Sequence, residues 1–195
     1  TQVATVTAYY LRWLEAVPTL EKLARLDDDV LYMLWAGLGY YQRARNLKRG
    51  AQYIIEHFEG IIPQTVDELL KIPSVGPYTA GAISSIAFGK NVAAVDGNVE
   101  RVLSRLLGYK GNLADSGERK YILRAADSLA NFGSAGLVNQ AMMDLGASLC
   151  SKRANCISCF ARKYCRAHSL GIASEIPRKE KKLQRYDELR ACLCV

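Results

Sequence analysis

The stretch Ile72–Asn98, IPSVGPYTAGAISSIAFGKNVAAVDGN, decides how this chain is read. A tight turn between Pro73 and Pro77 leads into a helix over 78–88. Just upstream, Thr65 and Glu68 form a capping-box pattern that predicts a short helix over 66–71. Helix, turn, helix is a helix-hairpin-helix pattern at 66–88. Gly76 allows the tight backbone that aims successive N–H groups outward at the start of the second helix. Such a terminus can hold a phosphate without touching bases. An ordinary turn between two helices gives the same pattern.

The stretch ends on a lone carboxylate, Asp96, in VDGNV, about 20 residues after the hairpin. An Asp before Gly-Asn can cap the helix that follows. It can also stabilise a cationic sugar, through its charge or through a covalent bond at C1′. Spacing alone does not choose between these roles.

Outward from this stretch the chain reads as all-α. Val3, Val6, Tyr10, Trp13, Leu14 and Val17 recur at helical spacing and predict one apolar face, ended by Pro18. Asp27–Asp29 suit the first turn of a helix through Trp35. GLGYY, Gly37–Tyr41, breaks the pattern before a long helix over 42–57. Further helices are predicted over 97–107, 116–131 and 135–149. The last ten residues, YDELRACLCV, alternate like a β-strand, which would lack a partner in an all-α chain. Cys192 and Cys194 within them read as packing or free thiols.

Cys150, Cys156, Cys159 and Cys165 give C-x5-C-x2-C-x5-C. Four thiolates within 16 residues can enclose a [4Fe–4S] cluster. Tetrahedral zinc is the rival, although its structural sites more often use two close Cys pairs. The formal net charge is +7, and residues 150–195 carry 11 Lys/Arg against 4 Asp/Glu. Residues 1–149 are balanced at 15 and 15. The excess positive charge therefore lies around and after the cysteines, where it suits nucleic acid or a solvated tail. No run of 18 or more apolar residues predicts a membrane span. Residues 1–6 do not read as a signal peptide.

Six segments together, TQVATV, WAGLGYYQRARNL, IPSVGPYTAGAI, VDGNVERVLSR, NQAMMDLGASLC and the cysteine loop, resemble adenine DNA glycosylases of the MutY type. These belong to the helix-hairpin-helix superfamily that also contains endonuclease III. The resemblance runs from Thr1 to about Cys165. It implies removal of adenine from mispairs with 8-oxoguanine or guanine in double-stranded DNA, by a monomeric base excision repair hydrolase. It implies a catalytic group of Asp96, Tyr78 and Asn98, with Asp96 as the carboxylate beside the sugar cation. Tyr78 occupies the position where relatives that also cut the strand carry a lysine nucleophile. A phenol forms no Schiff base, so lyase activity should be weak or absent. Gln140 matches a residue that contacts the flipped adenine, and Tyr40 a wedge that intercalates beside the lesion. Val75, Gly76, Lys152 and Arg153 are implied DNA contacts. The four cysteines are implied ligands of a [4Fe–4S] cluster with a structural role. SKRAN, the first gap, has five residues where the family typically has six.

The general acid of the family is a Glu just upstream of the segment matching TQVATV, so it falls before Thr1. Glu15 and Glu21 do not match its position. On this reading the 195 residues are a fragment that is inactive alone. The expected organisation is a barrel lobe over 1–90, incomplete at its start, and a cluster lobe over 91–170, with a cleft between them. A linker over 171–195 would open a missing Nudix-like domain. The location would be intracellular: the nucleus, and the mitochondrion as well, in a eukaryote, or the cytoplasm in a bacterium. A non-catalytic DNA-binding module and an endonuclease III-like lyase are the alternatives.

Overall fold

Capping fixes where the helices begin. The computed structural model of the chain describes residues 3–180. Helix α1 spans Val3–Ala16. The Thr19 hydroxyl accepts from Lys22 N–H and starts α2, Leu20–Arg25, which the apolar pattern had not revealed. Asp27 accepts from Asp29 and Val30 N–H and starts α3, Asp28–Trp35. The long α4, Gln42–Phe58, follows the glycine turn. Thr65 caps α5, Val66–Leu69, and its hydroxyl also donates to the Glu68 carboxylate at 2.5 Å. After the hairpin, α6 runs Pro77–Ala82 and continues as a single π turn, Ile83–Ala87. Then come α7, Gly97–Leu107; α8, Ser116–Ala130; α9, Ala135–Ala147; and α10, Arg166–Ser169. Among the described residues there is no strand, only one isolated bridge between Asn112 and Arg178. The predicted strand over 186–195, with Cys192 and Cys194, lies outside the described residues.

The chain forms two compact units. The first runs to Asp96 and takes in Asp127–Ala141; the second comprises Gly97–Ala126 and the chain from Met142. In the first, Leu23, Leu31, Ala44 and Ala51 are buried together where α2, α3 and α4 meet. The hairpin packs on the same long helix through Ile54, Leu69, Ile72 and Ala80. Leu69 is fully buried; truncating it to Ala should cost about 2–5 kcal/mol and loosen the hairpin first. In the second unit Ala167, Ile172 and Ile176 make a small core behind the cysteines.

Two expectations change. The stripe predicted as the buried face of α1 is only partly covered: Val6, Tyr10 and Leu14 are exposed, while Val17 is buried. Val6, Tyr10 and Trp13 instead line an apolar recess with Leu34, Trp35 and Leu38. In the hairpin, the left-handed residue is Ser74 (φ 67°), not the glycine. Gly76 is extended (φ −95°, ψ 176°), and a Cβ there would meet nothing within 4 Å. The turn's geometry therefore does not demand glycine at 76.

Candidate functional site

In the first unit the hairpin brings Tyr78 into the field of Asp96. Tyr78 lies on the first turn of α6, with the residue 40% exposed. Its phenol titrates above the ordinary tyrosine range, first because it is partly buried and second because the Asp96 carboxylate disfavours a phenolate. Tyr78 is therefore a neutral hydroxyl at physiological pH, a hydrogen-bonding group rather than a nucleophile. Asp96 is half-buried at the end of an irregular segment, the last residue before α7.

Tyr40 stands at the tip of the glycine turn. Gly37, Gly39 and Tyr40 all have positive φ, with Tyr40 at 49°. A bulky residue rarely adopts this conformation, and such outliers concentrate at functional positions. The turn is held because Trp35 Nε1–H donates to Gly39 O at 3.0 Å. The Arg43 guanidinium lies 5.4 Å from the Tyr40 ring centre. Tyr40 is 83% exposed. Gln140 is exposed on α9, its amide donating to Gly136 O one turn back. Val75 and Gly76 are half-buried at the hairpin.

In the second unit the four cysteines are free thiols that line one recess, with Val102, Leu145 and Leu149 as its apolar wall. Burial first, and then the neighbouring Cys165, Cys150 and Cys159, push the Cys156 thiol up, while Arg105 pulls it down. Among the described residues no three His, Cys, Asp or Glu side chains are gathered as a metal ion would need. Lys152, Arg153, Arg162, Lys163 and Arg166 are all exposed around this loop, as are Ile157, Phe160 and Tyr164.

Two arginines of α7 that sequence reasoning missed organise the loop. Arg105 is 3% exposed. It donates to the carbonyls of Cys150, Ser151, Lys152 and Ile176, and to Cys150 Sγ at 3.4 Å. Arg101 donates to Cys150 O at 2.8 Å, to Gly146 O at 2.7 Å and to Asn98 Oδ1 at 2.7 Å. Asn98 is thus tied to the first cysteine through one guanidinium. Gly146 permits this approach: a Cβ there would lie 2.6 Å from Asn98 Cβ. Glu100, also buried, binds Arg119 and Lys179. Burial alone would raise its pKa, but the hydrogen bonds and charges of Lys179 and Arg119 together lower it.

Comparison with known proteins places these features in a family context. The family described as HhH-GPD superfamily base excision DNA repair protein matches residues 1–127. The adenine DNA glycosylase of Rattus norvegicus is 43% identical over 170 residues, covering 86% of this chain and 33% of that protein. Its Homo sapiens counterpart is 43% identical over 169 residues, covering 86% and 31%. One from Buchnera aphidicola is 36% identical over 189 residues, covering 95% and 51%. This chain therefore spans about a third of the rat and human proteins. Among solved structures, a thermostable thymine-DNA glycosylase superposes with a TM-score of 0.76 at 26% identity, over 87% of this chain and 79% of that one. A non-covalent endonuclease III–DNA complex gives 0.70 at 28% identity, over 87% and 78%.

Proposed function

The chain belongs to the HhH-GPD superfamily of base excision DNA repair proteins, and from that premise we propose that it is the catalytic part of an adenine DNA glycosylase. The substrate is double-stranded DNA with adenine opposite 8-oxoguanine or guanine. The C1′–N9 bond breaks and its electron pair leaves on the adenine. A proton delivered to a ring nitrogen makes the departing base neutral. C1′ is left cationic, and the Asp96 carboxylate stabilises it. Water then adds at C1′ and releases a proton. What supports this reading is that Tyr78, on the hairpin's second helix, and Asp96 lie near enough for the carboxylate's charge to act on the phenol, within the stretch that the HhH-GPD family matches. Tyr78 supports the reacting sugar through its hydroxyl, and the absence of an amine at that position favours hydrolysis without strand cutting.

In the family that the chain resembles, the proton source is a Glu upstream of the segment matching residues 1–6. Glu21 is unsuited to replace it. A hydrogen bond from its own backbone N–H, and another from Thr19, hold its carboxyl below the usual range, so it is ionised near neutrality. Gln140 contacts the extruded base, and Asn98 sits beside the sugar. Tyr40 wedges into the duplex from its exposed, left-handed position. Val75 and Gly76 approach a phosphate, and the open space at Gly76 leaves the backbone reachable.

The four cysteines would hold a [4Fe–4S] cluster, whose ligand sulfurs stand farther apart than those around a single metal ion; the four thiols lining one recess and the N–H donated to Cys150 Sγ support this. When bound, that cluster crosslinks the loop and keeps its basic rim in place. Lys152 and Arg153 then face the phosphate backbone. A DNA repair enzyme of this kind works inside the cell, in the nucleus or mitochondrion of a eukaryote or the cytoplasm of a bacterium.

The test is single-turnover excision by the complete polypeptide on duplexes with adenine opposite 8-oxoguanine, with borohydride trapping on abasic DNA beside it. Adenine release without a trapped adduct supports the reading. A trapped adduct would place the chain with the lyases, and neither release nor adduct would leave a DNA-binding module.

A further inference from the structure

Asp96 ends an irregular segment that joins α7 directly, and the proposed chemistry needs that segment fixed on its upstream side as well. The support comes from a residue that none of the proposed roles uses. Asn139, on α9, is 5% exposed. Its Oδ1 accepts from Ala94 N–H at 3.0 Å, and its Nδ2 donates to Val92 O at 2.9 Å. The same Nδ2 donates to Ser85 Oγ at 2.8 Å, and the Ser85 hydroxyl donates in turn to Gly81 O at 2.7 Å. A carboxamide offers an acceptor and a donor side by side, as a peptide group does. Asn139 therefore pairs with residues 92 and 94 as a neighbouring strand would.

Steric contacts hold the segment from the other side. A Cβ at Gly81 would collide with Ala93 O, so the segment lies directly on the α6 backbone. At Gly136 a Cβ would lie 2.7 Å from Ser85 O, so α9 also presses closely on the π turn. Only Val95 separates the pinned Ala94 from Asp96, which leaves at most ~7 Å of chain. The neighbouring Gln140 lies on the same helix.

We infer that Asn139 is a positioning residue for Asp96: through Val92 and Ala94 it sets where the carboxylate stands. By carrying Asn139 and Gln140 side by side, α9 also gauges the carboxylate against the base contact. This rests on the glycosylase reading of Asp96.

The experiment compares affinities for two duplexes opposite 8-oxoguanine. One carries a cationic pyrrolidine abasic analogue, the other a neutral tetrahydrofuran analogue. The complete polypeptide should prefer the cation by roughly 10-fold or more, since a fixed carboxylate acts on charge alone. Asn139→Asp keeps size and acceptor but turns an oxygen toward Val92 O. Asn139→Ala removes both bonds. Each should lose most of that preference while holding the neutral duplex within about 3-fold, a split that general unfolding would not give. A retained preference overturns the inference. No preference in the unmodified protein overturns the reading of Asp96 instead. Should the variants fail to fold, hydrogen exchange in the unmodified protein decides. Ala94 N–H must be protected as strongly as the α9 amides, and fast exchange there overturns the inference too.

Discussion

The segment that ends at Asp96 and the loop that begins at Cys150 are both irregular backbone, but they are held by opposite means. The first is held by a neutral carboxamide, a serine hydroxyl and two glycines at close range. The second is held by two guanidinium groups that fill carbonyls with charged donors. The difference suits the function proposed for each. Under that proposal, a carboxylate that acts on a developing cation is weakened by fixed positive charge in its support, and its support is uncharged. A loop proposed to face a polyanion loses nothing from cations behind it, and buried charge-assisted bonds are stronger than neutral ones.

The largest expected effect is at the neutral site. Asp96→Asn should lower single-turnover excision by about 10³-fold or more, with affinity for the mispaired duplex kept. Turnover near normal would remove Asp96 from the chemistry and the contrast with it. Next comes the charged support. Arg105→Met should take its donors from the Ser151, Lys152 and Ile176 carbonyls and from Cys150 Sγ, and leave Cys150 O to Arg101, costing about 1–3 kcal/mol for each buried acceptor left unsatisfied. Thermal unfolding would show this, along with loss of the visible iron–sulfur absorbance. Absorbance that never appears in the unmodified protein would point to a different metal or to none. The smallest effect belongs to the surface. Reversing Arg153 and Lys163 should lower the slope of log affinity against log salt by about 1 per lost phosphate contact. An unchanged slope would mean that these side chains do not meet DNA.

Acid offers a further probe of the charged unit. Glu100 has a lowered folded-state pKa, because Lys179 and Arg119 outweigh its burial. Its stabilising contribution is therefore fully present above the unfolded value of about 4.3. It is lost as pH falls through the lower folded value. Both partners are half-exposed, so the loss should be about 1 kcal/mol, read as an acid shift in unfolding.

The sequence disclosed what is local. Asp27, Thr65 and the glycine turn marked helix ends through contacts only two to four residues apart, and α3, α4 and α7 lie where the pattern placed them. Asp96 and the four cysteines stood out because their chemistry is carried by residue type within short motifs. Thr19 gave the same capping signal for α2, but the helix is only six residues long and its apolar stripe too short to register. Asn139, Arg101 and Arg105 were invisible for a different reason. Their decisive partners are mostly backbone atoms 45 or more residues away, and a polar residue inside a helix announces no such bond. The hairpin misled in one detail: the strained position is Ser74, which carries a side chain, while the glycine two residues on is relaxed.

The π turn at Ile83–Ala87 gives the chain one residue of slack. Remove a residue ahead of Ser85 within it, and the stretch can close as an ordinary α-helix with its backbone bonds still made. Later side chains then keep nearly the same phase, and Ser85 still faces Asn139. The same deletion in a regular α-helix would swing each later side chain by about 100°. A single-codon deletion should therefore cost less in this turn than in the middle of α7.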